Sequence, residues 1–234
     1  VRNGIITDID LSKRPFVATV DGTSTISADA VIIATGASAK YLGLADEQKY
    51  AGMGVSACAT CDGFFYRKKV VAVVGGGDTA CEEAYYLSNL AKKVYMIVRK
   101  PYLRASAAMQ QRVNEKENIE ILYNTNTVGL FGEQFVEGAH LVQFKGTDKE
   151  QMLDIDIDGF FLAIGHKPNT DFLKGQVALD EQGYIALGGI TTETSVKGVF
   201  AAGDVADPHY RQAIVAAGSG CRAALDAKSY LDAL

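Results

Sequence analysis

The sequence predicts an α/β protein built around a nucleotide-binding unit, and two stretches of the chain predict it. The first is an apolar run at residues 70–74, which breaks into a glycine-rich turn at residues 75–77 and continues as a helical pattern. The second is a Cys-x-x-Cys pair, Cys58 and Cys61, with the carboxylate of Asp62 next to it. A close-spaced dithiol beside a dinucleotide-binding turn suggests electron transfer between a nicotinamide and a thiol pair.

Composition bounds the class of protein. The 234 residues are 48% hydrophobic, enough for one large core or two modest ones. The formal net charge is −5 and no basic run is present, which argues against a nucleic-acid partner. No apolar run approaches the roughly 18 residues that span a bilayer, so we expect no membrane partner. Four cysteines, two of them solitary, fit a reducing compartment, and we predict a cytoplasmic protein.

The first part of the chain predicts short strands, at residues 4–7, 16–20 and 23–26. A fully apolar strand follows at residues 30–34 and ends in Thr35-Gly36, which taken alone is ordinary core followed by a turn. Residues 37–51 have a loop-like composition and are predicted to be a linker into the next unit.

Residues 70–98 give the clearest strand–helix–strand pattern. Gly75, Gly77 and Ala80 fill the positions of the G-x-G-x-x-G/A fingerprint: the first allows a tight turn, the second lets backbone approach a pyrophosphate, and the third lets helix and sheet pack closely. Asp78 or Thr79 is predicted to cap a helix over residues 80–90, whose N–H groups then face the pyrophosphate. The second strand is predicted at residues 94–98.

Basic residues after that second strand predict which nucleotide is bound. A site for NAD places Asp or Glu there to bind the ribose hydroxyls, whereas this chain has Arg99, Lys100 and Arg104. Positive charge favours a 2′-phosphate, so NADPH is predicted. A solvated basic strand end is the alternative interpretation.

The Cys58–Cys61 pair is predicted to form a reversible disulfide. So short a loop gives about 2 kcal/mol of chain-entropy stabilisation, against about 4.7 kcal/mol for a 100-residue loop, so it is a weak structural staple. The spacing suits thiol–disulfide exchange, in which one sulfur is attacked while its neighbour waits. Half of a zinc site and an inert thiol pair are the alternatives, but no second ligand pair is present, and we expect no metal.

The later part of the chain continues the α/β pattern. A helix is predicted at residues 106–117, and strands are predicted at 119–123, 140–144, 152–157 and 160–164. Residues 165–169 break the pattern as a second linker, short strands are expected within 183–199, and a further apolar strand precedes Gly203-Asp204. Arg211-Gln212-Ala213 opens a helix to residue 231. A carboxylate at a strand end suits a polyol hydroxyl, and a helix N-terminus suits an anion.

Four motifs together resemble the low-molecular-weight thioredoxin reductases. They are Cys58-Ala59-Thr60-Cys61-Asp62-Gly63-Phe64-Phe65-Tyr66, Gly75-Gly76-Gly77-Asp78-Thr79-Ala80-Cys81-Glu82-Glu83, Ala163-Ile164-Gly165-His166-Lys167-Pro168-Asn169 and Gly198-Val199-Phe200-Ala201-Ala202-Gly203-Asp204, with Arg211-Gln212-Ala213 after them. The resemblance runs from about Ile5 to the end of the chain, in the right order and spacing.

The resemblance implies a fold of two Rossmann-like nucleotide-binding domains of the FAD/NAD(P)-binding three-layer type, with the NADPH domain inserted in an incomplete FAD domain. It assigns residues 1–38 and 167–234 to the FAD domain and residues 39–166 to the NADPH domain. It also implies a homodimer in which one domain rotates against the other about the two linkers.

The resemblance further implies electron transfer from NADPH through FAD to the Cys58–Cys61 disulfide, then exchange with thioredoxin. Cys61 would face the flavin, Cys58 would attack the partner, and Asp62 would be the acid/base. The implied NADPH-site residues are Gly75, Gly76, Gly77, Asp78, Thr79, Arg99, Lys100, Arg104, Ile164 and Gly165. The implied FAD-site residues are Thr35, Gly36, Gly203, Asp204 near the ribityl chain, and Arg211, Gln212 and Ala213 near the isoalloxazine.

Two departures from the family pattern matter. The glycine fingerprint for FAD is absent before Val31, and the chain starts at Val1, so we expect the later part of a longer polypeptide and weak or absent FAD binding. Val98-Arg99-Lys100 stands where many members have His-Arg-Arg, which makes the preference for NADPH over NADH an open point.

Two other functions remain open at this stage. The flavoprotein subunit of alkyl hydroperoxide reductase shares this core but usually has Pro-His between the cysteines, where this chain has Ala59-Thr60. An inactive nucleotide-binding module is the other alternative, because the flavin site is incomplete. A yellow protein with a flavin absorption band would support the enzyme, and a colourless one the module.

Overall fold

The computed structural model describes residues 1–234 as fifteen strands and five α-helices. The strands are β1 (Ile6–Asp10), β2 (Phe16–Val20), β3 (Ser24–Ala28), β4 (Val31–Ile33), β5 (Ala37–Ala39), β6 (Val55–Ser56), β7 (Val70–Val74), β8 (Lys93–Val98), β9 (Ile119–Tyr123), β10 (Thr125–Phe131), β11 (Gly138–Gln143), β12 (Gln151–Asp156), β13 (Gly159–Leu162), β14 (His166–Pro168) and β15 (Val199–Ala201). The helices are α1 (Ala45–Lys49), α2 (Ala59–Asp62), α3 (Asp78–Ser88), α4 (Ala107–Asn114) and α5 (Ala213–Asp232). Short 3₁₀ turns cover Gly63–Tyr66, Asp171–Leu173 and Gly203–Val205.

The chain forms two compact units. One, which we call the split unit, combines Val1–Ser38 with His166–Leu234. The other, the continuous unit, is Ala39–Gly165.

The continuous unit is built on a five-stranded sheet in the order β6-β13-β7-β8-β9, and every pair of neighbours in it is parallel. Such a sheet is stable when both faces are covered. Alternate residues of β7 point to opposite faces: Val71 and Val73 pack with α3 and α4, whereas Ala72 and Val74 pack with β10, β11 and β12. The result is three layers: helices, parallel sheet and a three-stranded antiparallel sheet in the order β10-β11-β12.

Helix α3 follows the glycine turn because its apolar residues recur at helical spacing. Ala80, Cys81, Ala84 and Leu87 are all fully buried on one side of it. The inward packing predicted for Ala84 and Leu87 is therefore confirmed.

The split unit contains an antiparallel sheet in the order β1-β2-β3 and a parallel pair of β4 and β15. Val199 and Ala201 of β15 pack into a core with β1, β2 and the segment around Leu173, and Phe200 packs against Ala223 of α5 on the other face. Strands β5 and β14 form a further two-stranded pair.

Several local predictions are wrong. The segment 37–51 is not a plain loop: it contains β5 and α1, because Glu47 hydrogen-bonds back to the start of that helix. The longest strand, β10, was not predicted. Residues 183–198 form no regular strand, since their backbone bonds run to scattered partners, such as Ile185 to Val205 and Gly188 to Glu193.

The predicted capping of α3 by Asp78 or Thr79 is also wrong. The N-cap residue is Gly77, and the Asp78 carboxylate accepts a hydrogen bond from the Ser106 N–H at 2.9 Å instead. None of the five α-helices has the length and apolarity needed to cross a bilayer. No three His, Cys, Asp or Glu side chains are grouped as metal ligands.

Candidate functional site

The redox pair lies on the short helix α2. Cys58 and Cys61 are joined by a disulfide, with their Cα atoms 5.3 Å apart. Cys58 is the N-cap residue of α2, and its Sγ accepts the Cys61 N–H at 3.2 Å. Cys61 is exposed and Cys58 is partly buried, so the sulfurs are open to solvent on one side.

The carboxylate of Asp62 is held by Ser56 at the end of β6. The Ser56 hydroxyl donates to Asp62 Oδ2 at 2.6 Å. The same Ser56 oxygen accepts the Cys58 N–H at 3.1 Å. The sequence does not predict Ser56 as a site residue, because it belongs to no motif and its hydrogen bond to Asp62 joins residues six positions apart.

Tyr66 closes the 3₁₀ turn after α2, and its ring packs against the core of the continuous unit. Its ring packs edge-on against Phe161 at 5.2 Å between centroids. Burial raises the pKa of the Tyr66 phenol, and the negative charges of Asp62 and Asp158 add to that rise. The phenol is therefore held in its neutral, proton-bearing form.

A cleft of about 1080 Å³ in the continuous unit is the second candidate site. All ten residues predicted for the NADPH site line it: Gly75, Gly76, Gly77, Asp78, Thr79, Arg99, Lys100, Arg104, Ile164 and Gly165. They meet there because β7, β8 and β13 are parallel neighbours, so the segments that follow them leave the same edge of the sheet.

The glycine turn has the geometry that its residues predict. Gly75 has a φ of +142°, and a Cβ on it would lie 2.5 Å from the Ala163 carbonyl oxygen, so no larger residue fits. A Cβ on Gly77 would meet nothing within 4 Å, which leaves its backbone open to a ligand. Helix α3 begins directly after it, so its first N–H groups are available to an anion.

The basic segment after β8 is tied to this turn. The Arg104 N–H donates to the Gly76 carbonyl at 2.6 Å, and the Ser106 N–H donates to Asp78. The backbone and side-chain hydrogen bonds from Ser106 lower the pKa of the Asp78 carboxyl. Arg99, Lys100 and Arg104 are all exposed where they line the cleft, so their charges face solvent and any bound anion.

The sequence did not predict some of the cleft residues. Lys145 adds a fourth cation from the turn after β11, and Leu42 and Leu44 add an apolar edge. Glu47 fixes that edge: its carboxylate accepts backbone N–H groups from Leu42, Gly43 and Leu44 at 2.8 to 3.0 Å. Glu47 is 3% exposed, and its position at N3 of a short helix was the signal that could have identified it.

The predicted FAD residues lie in the split unit. Thr35-Gly36 follow β4 and Gly203-Asp204 follow β15, and since these strands are parallel neighbours, both turns leave the same edge. Asn169 binds the first turn, donating to the Thr35 carbonyl at 2.9 Å and accepting from the Thr35 hydroxyl at 2.8 Å.

Arg211, Gln212 and Ala213 lie at the start of the 20-residue helix α5. Arg211 has a φ of +47°, a left-handed conformation uncommon outside glycine. Its guanidinium donates to the Pro208 carbonyl, while its Nε is buried and has no hydrogen-bond partner. A buried donor without a partner is costly, and an acceptor on a ligand would relieve that cost.

The two nucleotides fit the chain to different extents. The cleft of the continuous unit has an open glycine backbone, a helix N-terminus and cations, which suit the phosphate groups of a dinucleotide. The split unit has the Asp204 carboxylate, the buried Arg211 Nε and the start of α5, whose polar groups suit a polyol or an anion. No Gly-x-Gly turn accompanies β1 to β4, so the pyrophosphate part of FAD has no matching cradle in these residues.

The comparisons with known proteins return mainly thioredoxin reductases, together with a glucosaminate ammonia-lyase of Pseudomonas fluorescens that is 48% identical over 98% of this chain and 72% of that protein. Residues 2–220 match the pyridine nucleotide-disulphide oxidoreductase family. A thioredoxin reductase of Coxiella burnetii is 53% identical, covering 98% of this chain and 73% of that protein. One from Escherichia coli O157:H7 is 51% identical with the same coverage. The solved structure of a thioredoxin reductase from Giardia duodenalis superposes with a TM-score of 0.89 at 45% identity, covering 99% of this chain and 75% of that one.

The match extends over both units, in the same order as the motifs. The α/β fold class with Rossmann-like nucleotide-binding units is confirmed by these structural relatives. With the Cys58–Cys61 disulfide formed and the glycine-turn cleft in place, the chain belongs to the pyridine nucleotide-disulphide oxidoreductase family and, within it, to the thioredoxin reductases.

Proposed function

We propose that the continuous unit binds NADPH and carries the disulfide that reduces thioredoxin, so that the chain contributes the NADPH site and the redox disulfide of a thioredoxin-disulfide reductase. The enzymes of this family depend on FAD and NADPH. The observation that carries the proposal is the Cys58–Cys61 disulfide on a solvent-facing helix, with a carboxylate anchored beside it. When bound, FAD supplies the two-electron carrier between the nicotinamide and this disulfide.

The exchange with thioredoxin is a two-step thiol chemistry. In the reduced chain, the Cys58 thiolate attacks one sulfur of the partner's disulfide. A Cys58–partner S–S bond forms, the partner's S–S bond breaks, and the leaving thiolate takes a proton. The Cys61 thiolate then attacks Cys58 Sγ, which re-forms the Cys58–Cys61 disulfide and releases the second partner thiolate. Two electrons have passed to thioredoxin, and Asp62 is the proposed group that moves the protons.

Of the two remaining cysteines, Cys81 does not compete in this exchange. Cys81 is fully buried in α3, and burial, with the charges of Asp78 and Glu82, raises the pKa of its thiol to about 11. At neutral pH it is protonated and inaccessible, so it is a poor nucleophile. Cys221 is exposed on α5, in the split unit.

The proposed cofactor assignments follow the two units. The ten cleft residues would hold NADPH, with Arg99, Lys100 and Arg104 at the 2′-phosphate and α3 at the pyrophosphate. Thr35, Gly36, Gly203, Asp204, Arg211, Gln212 and Ala213 would contact the flavin and ribityl part of FAD. The domain assignment is the same: an FAD domain from the two outer segments and an NADPH domain from the middle one.

A flavin-independent test isolates the exchange step. The chain is reduced with dithiothreitol, desalted, and mixed with oxidised thioredoxin; we expect two thiols to appear on thioredoxin as the Cys58–Cys61 disulfide closes. Cys61→Ser should trap a mixed disulfide through Cys58, whereas Cys58→Ser should trap none. Failure of the reduced chain to transfer electrons to any thioredoxin would contradict the proposed function.

Two further properties belong to the same proposal. A homodimeric assembly follows from the family resemblance, and sedimentation velocity would show a species of twice the 25.0 kDa chain mass. A cytoplasmic location agrees with the free thiols of Cys81 and Cys221. A fluorescent fusion of the full-length protein in its native cell would test it.

A further inference from the structure

The side chain of Ser56 joins the two ends of the redox helix. Helix α2 is only four residues long, with Cys58 at its N-cap and Asp62 as its last residue. The Ser56 hydroxyl lies 2.6 Å from Asp62 Oδ2 and 3.1 Å from the Cys58 amide nitrogen. A single side chain therefore contacts both the first cysteine and the carboxylate.

The direction of these hydrogen bonds follows from the donors available. The Cys58 N–H is a donor, so the Ser56 oxygen accepts it. A serine hydroxyl has one proton, and an ionised carboxylate only accepts, so the proton points to Asp62. The Cys58 carbonyl lies farther from the hydroxyl, at 3.4 Å. Amide, hydroxyl and carboxylate form a chain in which each bond strengthens the next.

Ser56 itself is held by the sheet rather than by α2. It is the last residue of β6, which pairs in parallel with β13, with Phe161 opposite Ser56 and Phe160 opposite Val55. Ser56 is 9% exposed and Phe161 is fully buried. An isolated turn of helix is only marginally stable, so the fixed point for the carboxylate is the sheet.

We propose that Ser56 is a positioning residue for the exchange reaction: its hydroxyl holds the Asp62 carboxylate in the place from which it moves protons to and from the thiols. The inference rests on the proposed function. Ser56 touches neither sulfur by its side chain, and no bond to it forms or breaks. Its effect comes through Asp62, which delivers the proton when the Cys58–Cys61 disulfide opens and removes it when the disulfide closes.

The test is a double-mutant cycle on the flavin-independent exchange with oxidised thioredoxin, followed by stopped flow. General acid–base catalysis contributes about 10²–10⁴-fold to a rate, so losing the orientation of its carboxylate should cost about tenfold or more in Ser56→Ala. In an Asp62→Asn background, Ser56→Ala should cost nothing further, because the group it positions has been removed. A purely structural role would slow both backgrounds by the same factor, and that result would overturn the inference.

Isosteric variants guard against a folding defect. Ser56→Thr and Ser56→Val have the same shape and differ in the hydroxyl, so we expect the threonine variant to keep most of the rate and the valine variant to lose about tenfold. If Ser56→Ala does not fold, this pair decides the point, and equal rates for the two would refute the proposal. Ser88→Ala is a matched control, since Ser88 is similarly buried but binds the Tyr85 carbonyl on α3; it should exchange at the wild-type rate.

The outcomes distinguish failure of the proposed thioredoxin reduction from failure of the proposed role of Ser56. If the wild-type chain does not reduce thioredoxin, the proposed function fails whatever Ser56 does. If the wild type exchanges and all the Ser56 variants match it, the proposed function stands and the role of Ser56 is wrong.

Discussion

The two units use the same local pattern but complete it to different degrees. In the continuous unit the parallel sheet has five strands, and both of its faces are covered. In the split unit the corresponding parallel sheet is the pair of β4 and β15. Ile32 of β4 is 41% exposed, and Ile214 at the start of α5 is 80% exposed. Within residues 1–234, Ile32 and Ile214 are therefore more exposed than the aliphatic side chains of the five-stranded sheet.

The two units also differ in the groups that they offer to a nucleotide. A nucleotide site at a sheet edge needs a turn that accepts phosphate as well as side chains that orient the rest of the ligand. The continuous unit supplies the first through Gly75 and Gly77 and the second through its cations. In the split unit Asp204 and Arg211 are the proposed orienting groups, and no second glycine turn accompanies β1 to β4.

The prediction with the largest expected effect concerns the binding of both nucleotides by residues 1–234. We expect NADPH to bind and FAD to bind weakly or not at all, because the two charges of the FAD pyrophosphate would lack backbone donors. NADPH-driven disulfide reduction by this chain should then be undetectable. Fluorescence titrations of both nucleotides and a thiol assay with added FAD measure this.

The contradicting result is micromolar FAD affinity with turnover, which would show that residues 1–234 contain a complete flavin site. Reduced chain transferring electrons to thioredoxin in the same preparation is the control. This control shows that Cys58 and Cys61 can exchange with thioredoxin even when no flavin-dependent reduction is detected.

A second prediction concerns the thiols and distinguishes the units chemically. The oxidised native chain should expose one reactive thiol, that of Cys221, and the reduced chain should expose three, since Cys58 and Cys61 are added. Cys81 should stay silent until the protein unfolds, because it is buried and the pKa of its thiol is about 11. Titration with a chromophoric disulfide at neutral pH, before and after reduction, gives the counts. Stoichiometric zinc that is lost in Cys58→Ser would refute the redox interpretation.

A third prediction tests the cations of the continuous unit. Arg99→Ala combined with Arg104→Ala should weaken NADPH binding by several kcal/mol, as each charge-assisted hydrogen bond contributes about 1.5–3 kcal/mol. NADH binding should change little, because NADH has no 2′-phosphate. Arg112→Ala is the control, since Arg112 lies on α4 and does not line the cleft. Equal losses of affinity for NADPH and NADH would mean that the two arginines do not recognise the 2′-phosphate specifically.

The sequence predicted the strand–turn–helix part of the continuous unit well because its signals are local. The apolar run of β7 and the spacing of Gly75, Gly77 and Ala80 each depend on neighbours within a few residues, and the predicted strand at 70–74 is confirmed. That stretch indicates an α/β nucleotide-binding unit, whereas the arrangement of two Rossmann-like domains was implied by the family resemblance.

The rest depended on contacts between distant parts of the chain. Strand β10 was missed because its polar threonines and central Gly129 weaken the strand pattern, while its pairing with β11 and its buried Leu130 stabilise it. Asp78 resembles a helix cap until Ser106, 28 residues later, provides a backbone donor. Ser56 hydrogen-bonds to the Asp62 carboxylate and the Cys58 amide, and Glu47 hydrogen-bonds to three backbone amides. Such side-chain hydrogen bonds leave no periodic pattern in the sequence.

The last prediction compares the truncation of two aliphatic side chains, one from each unit, and the smallest effect is expected for the one in the split unit. Leu87→Ala removes a fully buried side chain from α3 in the continuous unit and should cost about 2–5 kcal/mol. Ile214→Ala removes an 80% exposed side chain from α5 and should change the free energy of unfolding by about 0.5 kcal/mol or less. Because two units need not unfold together, urea titration is paired with hydrogen exchange resolved for each unit. A large loss in Ile214→Ala would mean that the aliphatic face of α5 is covered in solution. The two units would then be equally well packed, and the contrast between them would lie in the glycine turn alone.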